Sequence, residues 1–364
     1  MTPDLVIVTP EAAPGAGGVA DHTLALLKHW GRVSNFHLLV SKPAPEVAGQ
    51  GAAVEPLGRT STEIMVQLPK TNGTVFVQYS AYGYNRFGYP RELIRALVDW
   101  KKKSGGRLVI MFHEIWTFWP FTNKNFFVQQ LHRRALKRLL TLCDAAFTTT
   151  SSQAEHLQRL SDAVPVHVLP VGSNISPARL GNVPRQKGLA ALFGVQLSRI
   201  RALENMRKSL TSLAAAGRIT KIVCLGQEHD SGAREDERKL LAALNLPDGF
   251  VQQGALSADT VSEILSTASF GIFGQSELSC TKSGSFMAYA THQLNVIADF
   301  SDAQKSPPVC WLTAAEELLA GIDQAELDRR AECLRMWQEE NCSWKVIAGR
   351  LGRALAIDPL PGGA

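Results

Sequence analysis

Three short segments of this 364-residue chain bring together residue types that hold phosphates and sugars. Pro14-Gly15-Ala16-Gly17-Gly18-Val19-Ala20-Asp21-His22 follows the hydrophobic run Leu5-Val6-Ile7-Val8. A buried strand that opens through glycines into a helix presents backbone N–H groups to an anion. The glycines allow close approach, and the helix start adds partial positive charge. Lys282-Ser283-Gly284-Ser285 stands at a predicted helix start, where N–H groups, two hydroxyls and an ammonium suit a diphosphate. Met111-Phe112-His113-Glu114 ends a strongly apolar strand, the place where an α/β protein collects functional groups. Each has a plainer alternative: a glycine-rich connection, an N-cap beside a solvated lysine, and a histidine satisfying a loop carbonyl.

Gly15-Ala16-Gly17-Gly18-Val19-Ala20 also fits a loose dinucleotide fingerprint, but its context fails. Six residues, Thr9 to Pro14, separate the strand from Gly15, and the next strand, Phe36–Val40, ends in Ser41-Lys42 rather than an acid. Neither an Asp-x-Asp pair, an HExxH run nor a His/Cys cluster at ligand spacing occurs, so no metal is expected. GxSxG, the mark of a serine hydrolase elbow, is missing too.

Those segments need elements to position them. Apolar residues form 45% of the chain and charged residues 20%, enough for large cores. No stretch approaches the ~18 apolar residues of a spanning helix, and no basic leader precedes the first strand. The six cysteines are scattered without a CxxC pair and read as reduced thiols of a cytoplasmic protein. The net charge of +5 is mild.

Strand-like runs at 4–9, 36–40, 73–78, 107–112, 145–149 and 166–169 alternate with helical patterns near 19–31, 90–103, 124–141 and 151–160. The rhythm restarts with strands at Leu189–Phe193, Lys221–Leu225, Phe250–Gln252, Phe270–Phe273 and Asn295–Ala298. Helices near 200–215, 233–244, 258–268 and 284–292 separate these. Regular β-α alternation means parallel sheets covered on both faces. The expected fold class is α/β, with two doubly wound Rossmann-like domains facing a cleft. The expected domains are residues 1–180, 181–340, and a C-terminal helix and tail at 341–364 packing back on the first.

In order and spacing these motifs resemble the GT-B glycosyltransferases, in particular the retaining "group 1", family 4-like enzymes. The resemblance rests on Gly17-Gly18-Val19-x-x-His22, Phe112-His113-Glu114 and Thr149-Thr150-Ser151. It continues through Leu169-Pro170-Val171-Gly172-x-Asn174 to Lys282-Ser283-Gly284-Ser285 and Asn295-Val296-Ile297-Ala298. It implies an acceptor domain whose wall includes Gly17 and Gly18, and a second domain that holds a nucleoside-diphosphate sugar as donor substrate. No cofactor is implied. His113 and Glu277 would address the donor sugar, while Lys282 to Ser285 grip the diphosphate with a basic residue after the second domain's first strand. Arg199 and Arg201 are the best placed for that role, and the choice between them stays open. The sequence departs from the family within Glu277–Ala298: where a second glutamate is expected, position 285 is Ser, or by the alternative count position 288 is Ala. The glycine and proline expected before the last strand are replaced by Gln293 and Asn295.

One stretch reads as a surface. Trp116, Phe118, Trp119, Phe121, Phe126 and Phe127 precede Arg133, Arg134, Lys137 and Arg138. Aromatics beside a basic helix dock proteins on anionic bilayers, which gives residues 116–138 as a peripheral membrane contact; an ordinary amphipathic helix is the alternative. No nucleic-acid module is present. The expectation is therefore sugar transfer to a polysaccharide or lipid-linked glycan, with retention and without metal. A catalytically silent GT-B-like binding protein or partner subunit is the first alternative, and a nucleotide-sugar epimerase the second.

Overall fold

β-Branched and aromatic runs bounded by turn residues form parallel strands in two separate sheets. The computed structural model describes residues 5–12, 17–30, 36–42, 53–116, 119–177, 183–300 and 306–357. Pro14, Gly15, Ala16 and Phe118 of the motifs above lie outside them. The chain divides into one unit of residues 1–170 plus 344–364 and another of residues 171–343.

The first unit holds strands β1 (Leu5–Glu11), β2 (Phe36–Lys42), β3 (Ala53–Pro56), β4 (Thr74–Ser80), β5 (Arg107–Glu114), β6 (Ala145–Thr148) and β7 (Val166–Val168). Their spatial order is β3-β2-β1-β4-β5-β6-β7, all parallel. Alternate residues of each strand feed two cores. Val6, Val8, Val75, Val77, Ile110 and Phe112 pack beneath the helices Arg91–Ser104 and Asn125–Leu142. Leu5, Ile7, Leu38, Phe76, Val109 and Met111 pack beneath the helices Gly18–Trp30 and Trp344–Leu355. Burial on both faces explains why these strands read as unbroken apolar runs. The last helix is tied in by Trp30 Nε1, which donates to the Ala348 carbonyl at 2.9 Å.

The second unit holds β8 (Gln186–Phe193), β9 (Lys221–Leu225), β10 (Phe250–Gly254), β11 (Ala268–Ile272) and β12 (Asn295–Ile297), ordered β10-β9-β8-β11-β12 and again all parallel. In each sheet the strand order reverses beside the first strand, between β1 and β4 and between β8 and β11. Doubly wound sheets bind ligands at such a switch point, outside the C-terminal strand ends.

The helix expected near 200–215 is two, Gln196–Asn205 and Arg207–Ala215, broken at Met206. At the break the Asn205 carboxamide donates to the Gly274 carbonyl at 2.8 Å, beyond the end of β11. No helix among the described residues is long and apolar enough to cross a membrane.

Candidate functional site

At the switch point of the first unit, β1 and β4 deliver Glu11 and Gln78–Ser80, β5 delivers His113 and Glu114, and the helix Gly18–Trp30 starts between them. Gln78 is fully buried, and its carboxamide bridges two imidazoles. Its Nε2 lies 3.1 Å from His22 Nδ1, and its Oε1 lies 2.6 Å from His113 Nε2. With the amide in this orientation, His22 carries its proton on Nε2 and His113 donates from Nε2. The two rings meet edge to face, centroids 4.8 Å apart. Burial, helped by the neighbouring His113, pushes His22 well below its ordinary value, so the ring is neutral at pH 7. His22 Nε2 is buried and finds no hydrogen-bond partner among the described residues.

Around this pair stand Glu114 of the Phe112-His113-Glu114 motif and Glu11, which the sequence reading did not single out. Burial raises the Glu11 carboxyl, opposed by Lys42 and reinforced by Asp21 and Glu114. Ser80 donates to Glu114 Oε2 at 3.0 Å. Gly17 closes on Glu11 so tightly that a Cβ there would lie 2.3 Å from Oε1, whereas Gly18 faces open space. Gly17 thus lets the Glu11 carboxylate lie against the main chain, while Gly18 leaves the helix start uncovered. The readable signal for Glu11 was its position at the end of an apolar strand, and for Gln78 its amide inside the run Val75–Tyr79. Among the described residues no three His, Cys, Asp or Glu side chains come close enough to share a metal ion.

The second unit's switch point is built from backbone. Gly194 follows β8 at φ +147°, and Gly226 follows β9 at φ +113°. A Cβ on Gly226 would lie 2.4 Å from the Gly194 carbonyl oxygen, so the two strand exits meet main chain to main chain. Opposite stands the helix Gly284–Thr291. Ser283 caps it, its hydroxyl accepting from Phe286 N at 3.2 Å while keeping its own proton to donate. Ser285 Oγ lies 3.1 Å from where a Gly194 Cβ would stand, and Gly284 meets nothing. Lys282 is exposed and makes no ion pair among the described residues. Glu277, half-buried, opens the 3-10 turn Glu277–Lys282.

Tyr289, which the sequence reading missed, holds this helix in place. Its hydroxyl accepts from Phe193 N at 2.6 Å and donates to the Ala191 carbonyl at 3.2 Å. The ring lies flat on Gly271 of β11, where a Cβ would approach it to 2.7 Å.

The two arginines expected at the phosphate diverge, and Arg199 needs correction. It is 1% exposed. Its Nε donates to Glu237 Oε1 at 2.6 Å and its Nη2 to Oε2 at 3.2 Å. Nη1 serves the Gly194 and Leu225 carbonyls at 2.5 and 3.1 Å. Four of its N–H donors are therefore spent inside the fold, bracing the two strand exits. Burial acts to raise Glu237, but hydrogen bonds from Arg199, Gln252 and Gln196 outweigh it and hold the carboxyl below its ordinary value. Arg201 is exposed on the helix Gln196–Asn205.

No protein-family model and no curated protein matches the chain. Solved structures do. A glycosyltransferase from Rickettsia africae superposes with a TM-score of 0.69 at 12% identity, covering 97% of this chain and 98% of that one. Anabaena HepE, solved in complex with UDP and glucose, gives 0.64 at 11% identity over 97% and 99% of the two chains. Sucrose-phosphate synthase from Thermosynechococcus elongatus gives 0.64 at 14% over 96% and 97%. At this identity the likeness is one of fold: two Rossmann-like units of GT-B type.

Proposed function

We propose that the protein is a glycosyltransferase that moves a sugar from a nucleoside-diphosphate sugar to a hydroxyl acceptor, with retention and without metal. One observation carries the reading: at the second unit's switch point, a capped helix start with two serines and a free lysine faces strand exits stripped of side chains. Backbone N–H groups, hydroxyls and an ammonium there neutralise a departing diphosphate, each donor contributing on the order of a few kcal/mol in a water-poor site. Lys282, Ser283, Gly284 and Ser285 take the diphosphate, with Arg201 the available guanidinium. Glu277 and His113 address the donor sugar, His113 held in orientation by Gln78. Gly17 and Gly18 open the first unit's helix start to the acceptor, beside the hydroxyl-binding carboxylates Glu11 and Glu114. That similar folds include one solved with UDP and glucose supports this choice of donor.

A binding protein without catalysis is the second reading. Ser285 and the fully buried Ala288 stand where the family places a carboxylate, and the helix Gly284–Thr291 contains no acid. Incubation with UDP-, GDP- and ADP-sugars, following thermal stabilisation and release of free nucleoside diphosphate, separates the two. We expect release, reduced at least about tenfold by Lys282→Ala, since a charge-assisted hydrogen bond is worth ~1.5–3 kcal/mol. His113→Ala should reduce it severalfold, since a neutral hydrogen bond is worth ~0.5–1.5 kcal/mol. Stabilisation without release, acceptors supplied, establishes the binding reading. If no nucleotide stabilises the protein, both readings fall.

The acceptor we propose is a polysaccharide or lipid-linked glycan, reached at a membrane surface. On the helix Asn125–Leu142, Phe127 and Leu131 are 70% and 51% exposed, and Phe121 just before it is 79% exposed. Arg134 and Arg138 share their face, with Lys137 at its edge, and the helix carries no acid. Arg133 instead turns to the Trp116 ring, 5.6 Å from its centroid. Surface cations add roughly 1 kcal/mol each on anionic lipid, and exposed rings insert at the interface. Co-sedimentation with phosphatidylserine-containing vesicles should be lost on replacing Arg134, Lys137 and Arg138 by Ala together. Unchanged sedimentation would end the membrane proposal.

A further inference from the structure

At the opposite edge of the second unit's sheet from Ser283–Ser285, where the strands begin, lies a cavity of about 640 Å³. That volume falls within the range of small-molecule sites, roughly 300–1,000 Å³. Arg185, Lys187 and Arg218 line it against a single carboxylate, Asp328. Arg185 is committed to the rim, its guanidinium donating to the Ala268 and His292 carbonyls at 2.7 and 2.6 Å. Asp328 is engaged by Gln324 at 2.8 Å. Lys187 and Arg218 are exposed, and among the described residues neither makes an ion pair. The cavity thus offers two uncommitted cations to an anion.

Asn295, the first residue of β12, also lines the cavity. It is 8% exposed, and its Oδ1 accepts no hydrogen bond among the described residues. A buried amide oxygen deprived of water and of a donor is the kind of group that a ligand satisfies. Rotation about the last side-chain torsion turns either end of the carboxamide to a hydroxyl, which both donates and accepts. The one aromatic lining residue, Phe270, is 9% exposed, leaving no ring free to stack on a nucleobase.

We infer that this cavity is a second binding site, distinct from the donor edge, for a phosphorylated sugar. The phosphate lies between Lys187 and Arg218, and the sugar hydroxyls reach Asn295. Calorimetric titration of the full chain with glucose 6-phosphate, inorganic phosphate and glucose tests this. Glucose 6-phosphate should bind, and the Lys187→Ala/Arg218→Ala double variant should weaken it at least about tenfold. Lys282→Ala should leave that binding unchanged. Inorganic phosphate should bind more weakly than glucose 6-phosphate, because the hydroxyl contacts are missing. The inference is overturned by absence of binding, by binding that survives the double variant, or by loss in Lys282→Ala, which would place the ligand at the donor edge. Equal affinity for phosphate and glucose 6-phosphate would overturn the assignment of a sugar.

Discussion

Arg199→Met is expected to destabilise the second unit by about 3–5 kcal/mol, because it leaves the Glu237 carboxylate buried without its cation. Both partners are removed from water, at 1% and 0% exposure, so neither charge can be rehydrated without opening the fold. The Arg199→Met/Glu237→Leu double variant should recover most of that loss, since a packed apolar pair carries no desolvation penalty. Recovery will be partial: Gln196 and Gln252 donate to Glu237 and would lose their acceptor. Urea unfolding of the three proteins measures this, and a single variant within ~0.5 kcal/mol of the parent would show that the pair is not structural. pH dependence supplies a second handle. Because the folded carboxyl is held below its unfolded value, its stabilisation is complete above the unfolded value and disappears as pH falls through the folded one. Since Arg199 also binds the Gly194 and Leu225 carbonyls, the single variant should loosen the strand exits before it unfolds them.

The second large effect is acid sensitivity of the first unit, centred on His132. This residue is 1% exposed; its Nε2 lies 2.5 Å from the Tyr79 hydroxyl and its Nδ1 has no partner among the described residues. Burial lowers its pKa from 6.5 to about 4. The unfolded chain therefore takes up a proton near pH 6.5 that the folded chain refuses until about pH 4. Between those values stability falls, by about 3 kcal/mol in total at ~1.4 kcal/mol per unit. His22 is displaced in the same direction and adds to the loss. Denaturant melts at pH 7 and pH 4.5 should show the difference, and His132→Gln, which retains an acceptor for Tyr79 but cannot titrate, should shrink it. An undiminished pH effect in that variant would assign the sensitivity to other groups.

Strands were the most legible part of the fold. Runs such as Val75–Tyr79 and Leu108–Phe112 are buried on both faces, so hydrophobicity alone marks them. The edge strand β3, Ala53–Pro56, escaped because four residues ending in proline carry almost no periodic signal. The helix Ser61–Gln67 escaped although the Thr60–Glu63 capping box announces it. In the candidate site, the Ser283 cap was readable because a helix start selects a side chain that accepts from the first-turn N–H groups. Arg199 was not, since its fate depends on Glu237 on another helix, a pairing that no local spacing encodes. Gln78 and Tyr289 were missed for a similar reason: each acts by bridging elements distant in sequence.

The helix Trp344–Leu355 completes the first unit's core, yet Val171–Ser343, the whole second unit, precedes it in the chain. During synthesis the second unit is therefore fully made while Leu26, Leu27 and Trp30 still lack their cover. The nascent first unit must wait with that apolar face open until residues 344–355 emerge.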